Sequence, residues 1–365
     1  MWLARCVSIL AFAHFAVVPY CDAVEPVTVS VVAGLTGLVS SAGWFGKDFL
    51  LDNTYCKFTE CCRKPYIKAD VAALKASLKG SLYGQHIVQD VLVNAIGAHY
   101  DNIENSRKPL VMSFHGTPGT GKNYVSDFVA AALYKNGISS KFVYKYTASD
   151  LDTVNMSFCL KFSILKHKIF PQDLAASVKQ TVKNCPYSLF IFDEIERMPT
   201  GVFDSIVSLL DHHSALKGFD FTKSIFIFLS NSAGIEIAKK LKSLMDDGSY
   251  RDQTKLSDFE RIAELAAYNL IGGLYRSGVI ESHVIDHFVP FLPLEPRHVL
   301  LCIKKELQLQ QCPETSENDI KKIMDEAMTP DKTEQFSNNG CKRLSKKVEA
   351  FCYQRRLKHN YNNKR

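Results

Sequence analysis

Leu110-Val111-Met112-Ser113-Phe114-His115-Gly116-Thr117-Pro118-Gly119-Thr120-Gly121-Lys122-Asn123 is the stretch on which the fold turns. Leu110 to Phe114 is a short apolar run, the pattern of a buried strand. A glycine-rich turn follows, and a helix is expected from Lys122 to about Lys135. Gly116 to Asn123 nearly matches Gly, four residues, Gly-Lys-Ser/Thr, the phosphate loop. Its glycines let successive backbone N–H groups point at phosphate oxygens. The helix that begins there offers its positive end to the same anion. Gly116, Thr117, Pro118, Gly119, Thr120, Gly121, Lys122 and Asn123 are therefore the expected cradle for ATP, with Lys122 reaching the β- and γ-phosphates. Asn123 stands where the pattern has the hydroxyl that touches Mg2+. An amide oxygen still ligates a hard cation or its water, so Mg2+ is expected with altered geometry.

Two further strands carry polar ends. Leu189-Phe190-Ile191-Phe192-Asp193-Glu194 is a continuous apolar strand that delivers two carboxylates. Asp193 is expected to hold Mg2+ partly through water, and Glu194 to orient or deprotonate the attacking water. Ser224 to Ser230 is another buried strand, and Asn231 at its end is placed to contact the γ-phosphate or that water. A strand-ending Asn alone is a turn residue; after a phosphate loop and an Asp-Glu strand it reads as a sensor.

Working outward, helices are expected over Asp70 to Lys79 and Gln85 to Tyr100, then a strand over Lys141 to Tyr146. Helices follow over Leu174 to Lys183 and Thr200 to Leu210. Strands alternating with helices imply a parallel sheet covered on both faces. After Ile235 the pattern is mostly helical, with one strand over His287 to Phe291 before a corner at Pro290, Pro293 and Pro296. Helices over Arg297 to Gln310, Glu317 to Met328 and Cys341 to Leu357 finish the chain. The expected organisation is a signal peptide (1–23), an apolar membrane-associating segment (24–50), an α/β nucleotide domain with a central parallel sheet flanked by helices (51–292) and a small helical lid domain (293–365).

The first residues set the compartment. Arg5 precedes an uncharged stretch from Cys6 to Val18, Pro19 breaks it, and Ala23 offers a cleavage point. This is a secretory signal layout. Val27 to Gly46 is also uncharged, but rich in Gly, Ser and Thr, with Trp44 and Phe45 near one end. Spanning, one-leaflet insertion and a weakly apolar linker all compete for it, and Trp44 with Phe45 favours one-sided association at an interface. The signal makes the compartment oxidising, so disulfides are allowed; of the 11 cysteines nine follow the signal, and the odd count implies at least one free thiol or an intermolecular bond. Cys56, Cys61 and Cys62 lack a second ligand pair at zinc spacing. Asn155-Met156-Ser157 is a glycosylation sequon. The net charge of +6 is concentrated in the last residues, a solvated helix face and tail. The basic balance allows a cytosolic protein acting on nucleic acid, and the signal peptide and sequon oppose it.

Several motifs together resemble the torsins. They are Gly119-Thr120-Gly121-Lys122-Asn123, Phe190 to Glu194, Ile225 to Asn231, Phe288 to Glu295, Gly340-Cys341-Lys342 and Gly84-Gln85-His86, with Tyr55-Cys56 and Glu60-Cys61-Cys62 upstream. Torsins are membrane-associated AAA+ ATPases of the endoplasmic reticulum and nuclear envelope, related to the Clp/Hsp100 unfoldases. The resemblance implies that Lys342 is the second sensor, closing from the lid onto the nucleotide. It implies a homo- or hetero-oligomer and activation by type II membrane proteins of the lamina-associated-polypeptide kind, whose lumenal domains supply an arginine. Clp domains carry that arginine before an Ile-Asp pair; here the residue is Val284, so weak turnover by the isolated chain is expected. The only glycine between Lys122 and Asp193 is Gly137, so the aromatic-apolar-Gly threading loop of unfoldases is missing there. Cys302 lies where torsins carry a lid cysteine. Cys341 beside the second sensor is then either a structural cysteine at a helix start or the partner of Cys302 in a redox-responsive disulfide. The resemblance also suggests Cys56 with Cys185 as a pair.

Overall fold

The protein is described by a computed structural model covering residues 56–150, 171–212, 218–328 and 335–362. The expected signal peptide, the stretch Val27 to Gly46 and the sequon at Asn155 lie outside these residues. Among the described residues no helix is long and apolar enough to cross a membrane. The chain divides into two compact units, Met1–Glu60 and Cys61–Arg365. In the first, a helical turn covers Cys56–Phe58.

The second unit is built on five parallel strands. These are β1 (Leu110–His115), β2 (Val143–Thr147), β3 (Leu189–Asp193), β4 (Ile225–Ser230) and β5 (His287–Pro290), in the order β2-β3-β4-β1-β5. The alternation Phe-Ile-Phe in β3 and β4 decides what covers each face. Side chains alternate across a strand with period two. Phe190, Phe192, Phe226 and Phe228 therefore share one apolar cluster, and Leu189, Ile191, Ile225 and Ile227 share the other. Register pairs Phe190 with Phe226 and Phe192 with Phe228. Their rings stack at centroid separations of 4.6 and 5.1 Å, and Tyr146 extends the second row at 5.2 Å from Phe192. Each such pair adds about 0.5–1.5 kcal/mol beyond its buried area. The sheet centre is thus rigid where the functional loops leave it.

Helices α1 (Val71–Ser81), α2 (His86–Asp101) and α3 (Lys122–Leu133) lie with the aliphatic cluster. Asp70 caps α1 by accepting from Ala73 N, as its side chain is suited to do. Helix α4 (Pro171–Asn184), α5 (Val207–Leu210), α6 (Gly234–Asp246), α7 (Glu260–Asn269) and α8 (Gly278–Glu281) complete the sheet domain. Helices α9 (Pro296–Leu309), α10 (Glu317–Ala327) and α11 (Leu344–Asn362) enclose their own apolar cluster of Leu294, Val299, Ile303, Leu307, Ile323, Leu344, Val348 and Cys352. Disulfide Cys302–Cys341 ties α9 to the turn before α11, and Cys312–Cys352 ties the turn after α9 to α11.

Three expectations are corrected. The helix expected over Thr200 to Leu210 is a turn, a 3-10 segment over Asp204–Ile206 and only then α5. Gly201 takes a φ of 77°, and Asp204 spends its carboxylate on Ser277 Oγ and Gly278 N, both at 2.9 Å. The helix expected from Cys341 begins at Leu344, because Gly340 and Cys341 form a turn laid on the phosphate loop. Cys185 pairs with Cys62, across 123 residues, not with Cys56; Cys56 is itself disulfide-bonded elsewhere. Adjacent cysteines at 61 and 62 are indistinguishable in one dimension, and the fold sets which one faces the start of β3.

Candidate functional site

Parallel order sends the ends of β1, β3 and β4 to the same edge of the sheet, so Gly116, Asp193 and Asn231 converge there although 115 residues separate the first from the last in sequence. The loop after β1 turns through Gly119 (φ 81°) and Gly121 (φ 108°) into α3. At Gly119 the need for glycine is steric as well. A Cβ there would sit 1.9 Å from Asn339 O, and one at Gly340 would sit 2.2 Å from Gly119 O. Cys341 N donates to Gly119 O at 3.0 Å. The loop and the second-sensor turn are in backbone contact, which only two glycines permit.

A cavity of about 320 Å³ opens over the loop. It is lined by residues 118–124, Asp193, Glu194 and Asn231 from the sheet, and by Leu294, Cys302, Lys305, Cys341 and Lys342 from the lid side. Lys122 is buried and donates to Gly116 O at 2.7 Å and Thr117 O at 3.0 Å. Burial pulls its ammonium down to about 8, against the pull of Glu196 and Asp193 and with a further push from Lys342. The Thr117 hydroxyl is buried with no partner among the described residues. Positive-φ glycines, a buried ammonium held by loop carbonyls and an orphaned hydroxyl fit a triphosphate. Among the described residues no three His, Cys, Asp or Glu side chains gather as a metal cage. Asn123 and Asp193 at the cavity offer side-chain oxygens, and Mg2+ takes one or two protein oxygens and otherwise water and phosphate.

Asn123 Nδ2 donates to Asp193 Oδ2 at 3.0 Å, which leaves the amide oxygen for a cation or its water. Lys145, from β2, reaches the same Asp193 oxygen at 3.3 Å. Glu194 sits in left-handed backbone (φ 56°) at the elbow after β3. A non-glycine residue there is uncommon. Its carboxylate is 43% exposed and meets Arg197 Nη1 at 2.9 Å. Asn231 is held by Glu196: its Nδ2 donates to Oε1 at 2.6 Å and its backbone N to Oε2 at 3.2 Å. Val284 is 2% exposed, within the core cluster, and its carbonyl accepts from Lys108 Nζ at 2.8 Å. The side chain at that position carries no charge, and the Lys108 ammonium at its carbonyl is paired with Asp286 at 2.7 Å.

The family model described as Torsin matches residues 56–192. A torsin-like protein of Drosophila melanogaster is 41% identical over 355 residues, covering 96% of this chain and 98% of the relative. A torsin-like protein of Caenorhabditis elegans is 37% identical over 320 residues, covering 87% and 86%. The chain belongs to the torsin family. Among solved structures, a closed-state reconstruction of Hsp104 with ATPγS and FITC casein aligns with a TM-score of 0.55 and 16% identity, covering 80% of this chain. The Saccharomyces cerevisiae Hsp104–ADP complex aligns equally. This torsin spans about half the length of either, 48%, and at that identity the likeness is one of fold: the AAA+ sheet and its helical lid.

The geometry therefore gathers the loop, Lys122, Asn123, Asp193, Glu194, Asn231 and Lys342 around one cavity, and bonds Cys302 to Cys341 at its lid wall (Cα–Cα 6.3 Å). Sequence reasoning missed Glu196, Lys145 and the buried amide of Gln85. That amide donates to Thr120 O at 3.2 Å and Leu292 O at 2.8 Å and accepts from Leu292 N at 2.9 Å. An acidic residue two places after Asp-Glu was a legible signal for the first of these. His115 was also missed. It is buried between Ser113 and Ser232, and burial, with Lys122 acting the same way, lowers it to about 3. It stays neutral and bridges two hydroxyls under the loop.

The lid disulfide yields a direct expectation. Reduction frees α9 from the turn that touches Gly119, so ATP affinity of the wild type is expected to change several-fold with reductant. Cys302→Ser is expected to abolish that sensitivity in a titration of affinity with and without reductant. Equal sensitivity in the variant would dissociate the bond from nucleotide binding.

Proposed function

We propose that this torsin is a membrane-associated ATPase of the endoplasmic reticulum lumen and nuclear envelope. It binds ATP with Mg2+, hydrolyses it when a partner supplies an arginine, and uses the cycle to remodel protein or membrane complexes. The partner is a type II membrane protein with a lumenal domain, and the chain itself works as a homo- or hetero-oligomer; nucleic acid plays no part. Localisation rests on the signal layout, the sequon and the family.

The observation that carries the reading is one site with a single part missing. Bound Mg-ATP supplies the phosphoryl group and the cation that offsets its charge. Lys122 and the loop amides bind and orient the phosphates. Asn123 and Asp193 offer oxygens to the cation or its water. Glu194, once released from Arg197, takes a proton from the attacking water, and Asn231 orients the γ-phosphate. Val284 contributes no charge, being aliphatic and buried. A missing arginine finger lowers turnover by roughly 10³–10⁵-fold.

The purified chain is therefore expected to turn over ATP at a barely measurable rate. Addition of an activator's lumenal domain should raise the rate by orders of magnitude. Glu194→Gln should reduce the stimulated rate about 100-fold while leaving ATP binding intact, since general-base catalysis contributes roughly 10²–10⁴-fold. Robust turnover by the chain alone overturns the partner-completed site. A second reading, an ATP-dependent scaffold, is favoured by the engagement of Glu194 with Arg197. Rescue of cellular function by Glu194→Gln would select it.

A further inference from the structure

Glu196 has no assigned role, yet it makes the closest contact to the sensor. It lies in the 3-10 turn Ile195–Arg197 that follows β3 and the left-handed Glu194. Its Oε1 accepts from Asn231 Nδ2 at 2.6 Å and its Oε2 from Asn231 N at 3.2 Å. The Ser230 hydroxyl lies 3.3 Å from Oε2 and, on its other side, 2.7 Å from Ser232 Oγ. Ser232 meets His115 Nδ1 at 3.0 Å, and His115 Nε2 meets Ser113 Oγ at 2.6 Å. The carboxylate thus ends a row of hydrogen-bonded groups anchored in the sheet. Its backbone is fixed too: Gly273 N donates to Ile195 O at 2.8 Å, and Gly272 approaches so closely that a Cβ would lie 2.6 Å from Glu196 Cα.

Asn231 lines the nucleotide cavity and Glu196 does not. We infer that Glu196 is the positioning residue for Asn231: it clamps the sensor amide so that its remaining N–H and its oxygen face the γ-phosphate. The inference rests on the ATPase reading above. The physical need is clear. The terminal torsion of Asn is broad and nearly two-fold, so an unclamped amide samples orientations that present the wrong atom. An ionised carboxylate accepts only, and charge-assisted bonds to it are roughly twice as strong as neutral ones. One carboxylate holding both the amide and the backbone of the same residue removes that freedom. A misplacement of about 1 Å at a reacting group costs on the order of 100-fold in rate.

The test uses the full chain with Glu196→Ala, Glu196→Gln, Asn231→Ala and the double Ala variant. Three quantities are measured: ADP affinity, the preference for ATP over ADP, and kcat with an activator's lumenal domain. ADP affinity is expected within about threefold of wild type in Glu196→Ala and Glu196→Gln, because Glu196 lies outside the cavity. Glu196→Ala should lower kcat by about tenfold or more and reduce the ATP preference to the level of Asn231→Ala. Glu196→Gln, which keeps the acceptor for Nδ2 but turns a donor toward Asn231 N, should fall between. In the Asn231→Ala background, Glu196→Ala should change neither quantity, since residues acting as a unit are non-additive. Equal losses in both backgrounds, or an intact ATP preference and kcat in Glu196→Ala, overturn the inference. A parallel loss of ADP affinity, in the isosteric Gln variant as well, also overturns it, as that marks a structural role. If the wild type shows no turnover with an activator, the ATPase reading fails; loss of ATP preference in Glu196→Ala then still supports the clamp, and its retention overturns it.

Discussion

Lys122→Met is expected to weaken ATP binding about 100-fold and to remove partner-stimulated turnover. The ammonium is buried and tied to Gly116 O and Thr117 O, so it waits beside the phosphate position. Each charge-assisted hydrogen bond it transfers to a phosphate is worth about 1.5–3 kcal/mol, and about 2.8 kcal/mol is 100-fold in affinity. Its lowered value of about 8 adds a pH signature. Above that pH the free protein's Lys122 is neutral, while bound triphosphate favours the charged form, so binding takes up a proton. ATP affinity of the wild type should therefore fall as pH rises from 7.5 to 9.5, and Lys122→Met should be flat over that range. The stability sign is the opposite. A lysine whose folded value lies below its unfolded one is more protonated in the unfolded chain between about 8 and 10.5, so its burial penalty is full below pH 8 and lifts as pH rises. Calorimetry in buffers of different ionisation enthalpy reads the proton uptake; a pH-independent affinity would mean that Lys122 stays charged throughout.

Arg251→Met is expected to destabilise the folded chain by about 3–5 kcal/mol, the cost of removing one partner from a buried ion pair. The guanidinium donates to Gly84 O at 2.6 Å, Pro293 O at 2.8 Å and Glu295 Oε1 at 3.2 Å. Burial brings it down to about 10, with Glu295 opposing. One side chain thus joins the turn before α2, the segment after β5 and the residue that opens α9. Beside it His298 packs on Gly84 and accepts from Glu295 N. Burial, with Arg251 acting the same way, holds His298 near 4, so the ring stays neutral and keeps that acceptor. Removal of Arg251 leaves two buried carbonyls and Glu295 without it. Arg251→Lys should recover only part of the loss, because a point charge does not span the three acceptors. Denaturant unfolding measures both; an unchanged midpoint in Arg251→Met would show that other contacts hold this junction.

The phosphate loop, the Asp-Glu strand and the strand-ending Asn were legible because each is local. Glycines, a lysine and a helix start within a few residues fix the loop's chemistry before any tertiary contact forms. The strands at Leu189 and Ile225 were legible as apolar runs, whereas the faces their Phe and Ile side chains take were assigned by the packed sheet. Cys302 with Cys341 was legible only through the family, since 39 residues separate them. The start of α11 was misread because Cys341-Lys342-Arg343 has no helix breaker after Gly340; it is the backbone of Gly119 that holds the turn open.

By itself, the sequence determined a parallel α/β domain with its phosphate loop, the strand ends that carry Asp193, Glu194 and Asn231, the helical lid, and an aliphatic residue at position 284. Only the tertiary structure decided that Glu196 holds Asn231, that Lys145 shares Asp193, that Cys185 meets Cys62, that Arg251 ties the turn before α2 to the start of α9, and that Gln85 ties Leu292 to the phosphate loop. The reason is physical. Local backbone chemistry is written in neighbouring residues, whereas a hydrogen-bond partner is chosen by whichever polar group the packed sheet brings within about 3 Å, and buried groups left without one are too costly to persist.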